Sequence, residues 1–146
     1  MTRYSINTLI LGSVFSMAVG TAQAADVYPF ELVKSQPEIG KTFSKLTAPV
    51  AAKHAWIKKY GVVVPVSEVT AGNEIYQVLA GCKPHDCPSE KYVVLIAKGT
   101  DKGIGAFVVN RYASGSQASP NPVSSSVTWL GQPDDAQRAV LATQLF

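Results

Sequence analysis

Residues 75–97 read Ile75-Tyr76-Gln77-Val78-Leu79-Ala80-Gly81-Cys82-Lys83-Pro84-His85-Asp86-Cys87-Pro88-Ser89-Glu90-Lys91-Tyr92-Val93-Val94-Leu95-Ile96-Ala97, and the fold turns on them. Ile75 to Ala80 alternates in part, Ile75, Gln77 and Leu79 against Tyr76, Val78 and Ala80, as a half-buried strand does. Lys91 to Ala97 is an almost unbroken apolar, β-prone run. Between them lies a short polar segment with prolines at both sides, so the whole reads as two strands joined by a stiff projecting loop. Working outward, Gly99 to Gly103 is a turn and Ile104 to Arg111 a further strand, which predicts an antiparallel meander. Upstream, Val62-Val63-Val64 is β-branched but cut by Pro65, Val66 to Thr70 resumes, and Ala71-Gly72-Asn73 is a turn.

The flanks are helical. Phe43 and Leu46, then Ala52, Ala55, Trp56 and Tyr60, fall at helical spacings, with a break expected between Thr47 and Pro49 and a stop at Gly61. Residues 25–40, with Pro29 and Pro37, show no clear period. Ala113 to Ser126 is rich in Ser, Pro, Gly and Asn and reads as loop. Val127 to Leu130 is a short last strand. Pro133 to Phe146 reads as a terminal helix: Pro133 suits its first turn, Asp134 and Asp135 suit the helix dipole, and Ala136, Val140, Leu141 and Leu145 form a stripe for burial. The expected fold class is α+β, one domain over residues 25–146. It has a central antiparallel sheet of about five strands flanked by short helices, with a closed loop protruding.

Residues 1–24 are read separately. Arg3, the apolar run Leu9 to Val19 and the ending Ala22-Gln23-Ala24 have the layout of a secretory signal peptide, and a run of roughly 11 residues is too short to cross a bilayer. Of 13 Lys+Arg and 10 Asp+Glu, only Arg3 lies in that segment, so the remainder is close to neutral, without the basic block that nucleic-acid binding needs. No later stretch is long and apolar enough for a membrane span.

An exported chain meets an oxidising compartment, where the two cysteines, Cys82 and Cys87, have only one intramolecular pairing. The ring is worth about 2 kcal/mol by chain entropy, a modest amount for a domain with its own core. Its larger effect is to hold Lys83, Pro84, His85 and Asp86 in few conformations, so that ordering them costs little at binding. Plainer readings stand beside this one. The pair can be a hairpin staple, and His85 an ordinary exposed histidine. A metal site from Cys82, His85 and Cys87 lacks a fourth ligand, and a redox motif needs closer cysteines. His54 is assigned no role, and Trp56 and Trp129 are assigned to the core. No catalytic elbow, phosphate loop, zinc helix or cofactor motif is present, which argues against an enzyme.

The loop Cys82-Lys83-Pro84-His85-Asp86-Cys87 resembles, letter for letter, the inhibitory loop of the inhibitor of vertebrate lysozyme family. Glu74-Ile75-Tyr76-Gln77-Val78 is similar to that family's strand leading into the loop, and Val127-Thr128-Trp129-Leu130 to its late strand; the resemblance covers roughly residues 40–146. It implies a periplasmic inhibitor of C-type lysozyme whose loop histidine, here His85, meets the two catalytic carboxyls, and it implies that the chain can form homodimers. A protonated imidazole has two donors, enough for two carboxyls. Lys83 would add charge toward an acidic cleft, and Asp86 would cap loop amides or the cleft rim. The alternative partner for the same loop is a lytic transglycosylase of the cell's own wall machinery.

Overall fold

The fold is that of a computed structural model, which describes residues 25–114 and 120–145. The signal-peptide reading of residues 1–24 and the middle of the Ala113–Ser126 loop lie outside the described residues. Helices α1 (Pro29–Ser35) and α2 (Pro37–Ala51) and a 3-10 turn (Ala55–Lys59) come first. Among the described residues six strands follow, β1 (Val62–Val63), β2 (Ser67–Ala71), β3 (Glu74–Cys82), β4 (Glu90–Ala97), β5 (Gly103–Arg111) and β6 (Ser124–Leu130), and helix α3 (Asp135–Leu145) ends the described chain.

All the strand pairings are antiparallel, and β3, β4, β5 and β6 lie side by side in sequence order, so the α+β meander stands. β1 and β2 are two pieces of one edge. Both pair with β3, Val62 opposite Cys82 and Ser67 opposite Val78, and Pro65 falls in the gap between them. Proline has no N–H to give a ladder, so an edge is where a strand can accommodate it.

Both faces of the sheet are covered, which is why β4 is buried from Tyr92 to Ala97 and its sequence shows no alternation. Leu79, Tyr92, Val94, Ile96 and Phe107 face the N-terminal helices, meeting Leu32, Ile39, Phe43, Val50 and Ile57. Val78, Val93, Leu95, Ala106 and Val108 face α3, whose Leu141 and Leu145 close that side. Each Val, Leu, Ile or Phe side chain among them contributes about 1.5–3 kcal/mol when taken from water.

Several expectations are corrected. Residues 25–40 are not irregular: Pro29 and Pro37 each sit at the start of a helix, where the missing N–H costs nothing. The break after the long helix comes at Ala52–His54, not at Thr47–Pro49. Pro49 lies on the exposed side of the last turn of α2, and buried Thr47, Val50 and Ala51 around it keep that turn in place. β6 begins three residues earlier than its apolar part, because Ser124, Ser125 and Ser126 pair with Arg111, Asn110 and Val109. Ala136 faces solvent; Gln137 takes its place on the buried stripe, donating to the Tyr76 hydroxyl at 3.0 Å. Gln137 also closes a reciprocal cap with Asp134, its amide donating to Oδ1 at 2.8 Å and its Oε1 accepting from the Asp134 amide at 2.9 Å. Trp129 is no core residue: it is 37% exposed on the edge strand, with the Arg138 guanidinium 5.4 Å from its ring centre.

Candidate functional site

The β3–β4 connection carries the site. Cys82 pairs with Lys91, and the Lys83 amide donates to the Glu90 carbonyl at 3.0 Å, carrying the ladder one step past the strands. The Asp86 amide then donates to the Lys83 carbonyl at 3.1 Å, closing a four-residue turn with Pro84 and His85 at its centre. His85 has φ +63°, and a proline followed by a residue of positive φ is the pattern of a type II turn. Glycine or asparagine is usual at that second position; a histidine there accepts some backbone strain, of order 1 kcal/mol. The Cys82–Cys87 disulfide, with a Cα–Cα distance of 4.8 Å, closes the ring beneath the turn. It also removes both sulfurs from any metal site of the kind Cys82, His85 and Cys87 could have formed.

Within this ring Pro84 and His85 are exposed, while Lys83, Asp86 and Cys87 are half-buried. His85 is thus the exposed side chain at the apex of the turn. Asp86 turns back onto the loop base. The nearby Ser89 hydroxyl, ahead of the Lys83 ammonium, holds its carboxyl below the usual range. The Ser89 amide also donates to the Asp86 carbonyl at 3.1 Å, a second turn behind the first.

Lys83 is turned back onto the loop base. Its Nζ lies 3.3 Å from Asp86 Oδ2 and 3.1 Å from Glu90 Oε1, and these two carboxylates, Glu90 first, raise the ammonium's pKa. Glu90 in turn is a hub. Its side chain is only 13% exposed, and its Oε2 accepts from the Trp56 indole N–H at 2.8 Å and faces His54 Nδ1 at 2.8 Å. Burial pushes this carboxyl up, but the Trp56, Lys83 and His54 bonds outweigh it and hold it below the ordinary range.

The returning limb of the loop is strapped to β5. Asn110, 6% exposed, donates from Nδ2 to the Pro88 carbonyl at 2.8 Å, and its amide donates to the Ser89 carbonyl at 2.7 Å. Its Oδ1 accepts from the Ser125 hydroxyl at 2.7 Å, and the Tyr112 hydroxyl adds a bond to Pro88 at 3.3 Å. The outgoing limb rests on a tight backbone crossing. Tyr60 and Gly61 both have positive φ, and a Cβ on Gly61 would lie 2.3 Å from the Cys82 carbonyl oxygen and 2.6 Å from the Trp56 ring.

The loop residues therefore fall together at one end of the sheet. The residues that hold them, His54, Trp56, Glu90 and Asn110, were not singled out by the sequence. Trp56 had been given to the core, and it does pack there while its N–H reaches the loop base. The one available signal was a lone acid, Glu90, at the head of an apolar strand.

The family model described as inhibitor of vertebrate lysozyme (Ivy) matches residues 38–145. A protein of Escherichia coli strain K12 named inhibitor of vertebrate lysozyme is 42% identical over 53 residues, 36% of this chain and 34% of that protein. Its counterpart in Escherichia coli O157:H7 matches equally. The aligned part thus spans about a third of the length of these relatives. An uncharacterized protein of Yersinia pestis is 30% identical over 112 residues, 75% of this chain and 71% of its own.

Proposed function

Since the chain belongs to the inhibitor of vertebrate lysozyme family, we propose that it inhibits C-type lysozyme by inserting the Cys82–Cys87 loop, His85 foremost, into the active-site cleft. The observation that carries this reading is the placement of His85: exposed, at the centre of a turn closed by a disulfide below it. A retaining glycosidase cleft holds two carboxyls about 5–5.5 Å apart, one of raised pKa and one ionised. A single imidazolium donates from both ring nitrogens and can satisfy both groups. Bonds made to an ionised carboxylate in a dry cleft are charge-assisted. Because the turn is already formed, little ordering is left for the moment of binding. In this reading residues 1–24 direct export and the mature chain acts in the periplasm, shielding the cell wall.

Co-incubation of the oxidised mature protein with C-type, G-type and invertebrate lysozymes, and with a lytic transglycosylase, tests the reading by residual activity and pull-down. The proposal expects inhibition and capture of the C-type enzyme. Full C-type activity at excess inhibitor contradicts it, and inhibition confined to the transglycosylase, whose site relies on one acidic residue, reassigns the target.

A further inference from the structure

The hub beneath the loop has a geometry that a simple hairpin staple does not need. A disulfide between Cys82 and Cys87 fixes the ring internally but leaves its tilt relative to the sheet to other contacts. Glu90 supplies those on the outgoing limb, beside the Asn110 strap on the returning one. It stands at the foot of β4, and its two oxygens serve two different bodies: Oε1 takes the Lys83 ammonium at 3.1 Å, from inside the ring, and Oε2 takes Trp56 Nε1 and His54 Nδ1, each at 2.8 Å, from the segment around the 3-10 turn. That segment is itself immobilised, with Ile57 fully buried and the His54 ring 4.6 Å from the Phe107 ring. One carboxylate thus connects the loop to the helical layer across 34 and 36 residues of sequence.

We infer that Glu90 is a positioning residue for the inhibitory loop: it fixes the ring's tilt through Lys83 and keeps the Lys83 charge at the loop base, leaving His85 as the side chain presented to the partner. The inference rests on the function proposed above. Two geometric features support it. Lys83 Nζ has Asp86 on its other side at 3.3 Å, so its charge is matched within the loop. The Trp56 and His54 donors occupy Glu90 Oε2, so the carboxylate cannot swing out with the lysine without abandoning both. A carboxylate filled from three directions holds one rotamer, and a loop attached to it inherits that order.

The test uses the full, disulfide-bonded mature chain and the variants Glu90→Gln, Lys83→Met, Lys83→Arg and the double variant Glu90→Gln with Lys83→Met. Amide hydrogen exchange at Lys83, Asp86 and Ser89 reports loop order without any partner, exchange in β4 and β5 reports the sheet, and titration of C-type lysozyme reports inhibition. Glu90→Gln should speed exchange at the loop amides while the sheet amides keep their rates, and should raise the inhibition constant roughly tenfold, the cost of ordering one or two long side chains and their loop at binding. Lys83→Met should do the same, Lys83→Arg should stay within about threefold of the parent, and Glu90→Gln added to Lys83→Met should cost less than about threefold more. Parental exchange at the loop amides in both Glu90→Gln and Lys83→Met overturns the inference, as does loosened exchange with an unchanged inhibition constant. If Glu90→Gln does not fold, Lys83→Met alone decides, since it leaves Glu90 with Trp56 and His54. A parent protein that inhibits no lysozyme overturns the proposed function instead, and the exchange rates still decide whether Glu90 holds the loop.

Discussion

Asn110 Nδ2 donates to the Pro88 carbonyl at 2.8 Å, so a buried amide on β5 holds the limb by which the loop returns to the sheet. Asn110→Ala removes that donor and the acceptor of the Ser125 hydroxyl. Loss of two part-buried side-chain hydrogen bonds costs about 1–2 kcal/mol. The variant should melt several degrees lower and inhibit more weakly, because Pro88 loses its side-chain tether while the Asn110 backbone amide still holds Ser89. A melting temperature equal to the parent's would mean that water replaces the amide without cost.

Gly61→Ala should be more severe than its one added methyl suggests. The position has φ +66° and the new Cβ would fall 2.3 Å from the Cys82 carbonyl oxygen and 2.6 Å from the Trp56 ring. Backbone strain and the clash together should cost about 2–3 kcal/mol or more, read as a shift in the urea midpoint. Gly72→Ala is the reference: it shares the positive φ, but nothing lies within 4 Å of its Cβ site, so it should cost only the conformational part, about 1 kcal/mol.

The pH dependence of the loop base follows from Glu90. Its folded-state pKa lies below the ordinary glutamate value of 4.5, because the Trp56, Lys83 and His54 bonds outweigh burial. A depressed carboxyl contributes stability that is fully present above the unfolded value and is lost as pH falls through the folded one. The stability difference between the parent and Glu90→Gln should therefore hold from neutral pH to about 5 and shrink below 4.5. Denaturant titrations at a series of pH values measure it; a difference that stays constant down to pH 3 would show that the carboxylate charge contributes nothing.

The disulfide should matter for inhibition more than for folding. Leu79, Tyr92, Val94 and Phe107 belong to a core that includes no ring residue, and the chain-entropy estimate for so small a ring is about 2 kcal/mol. Cys82→Ala with Cys87→Ala should keep the circular dichroism spectrum at room temperature and weaken inhibition by roughly 1–2 kcal/mol, about 5- to 30-fold. Unfolding of the double variant at room temperature would make the bridge a structural staple first.

How legible all this was in the sequence depended on how local the determinant was. The β3–loop–β4–β5 meander was readable because its apolar runs and turn residues sit next to one another. The interruption at Pro65 was readable because proline acts on its own backbone. α1 was not, since Pro29 and Pro37 look like breakers unless one knows that a helix starts at each. Trp129 misled because bulk suggests burial, whereas β6 is an edge whose outer positions face water and the Arg138 guanidinium. The loop itself was legible from its six residues. Its support was not: Glu90 meets Trp56 and His54 only once the helical layer has folded over the sheet, and no spacing in the chain encodes that meeting.

The plug account rests on His85, and His85→Ala tests it most directly. The fold should be unchanged by circular dichroism, since an exposed turn residue supports no core. Loss of a buried, charge-assisted contact at the centre of an interface typically costs about 2–4 kcal/mol, so the inhibition constant against C-type lysozyme should rise roughly 30- to 1000-fold. His85→Gln, which keeps donors but no charge, should lie between, and Thr70→Ala, exposed beside the turn at the far end of β3, should change nothing. An inhibition constant for His85→Ala within about threefold of the parent's would place the affinity elsewhere on the surface and contradict the plug.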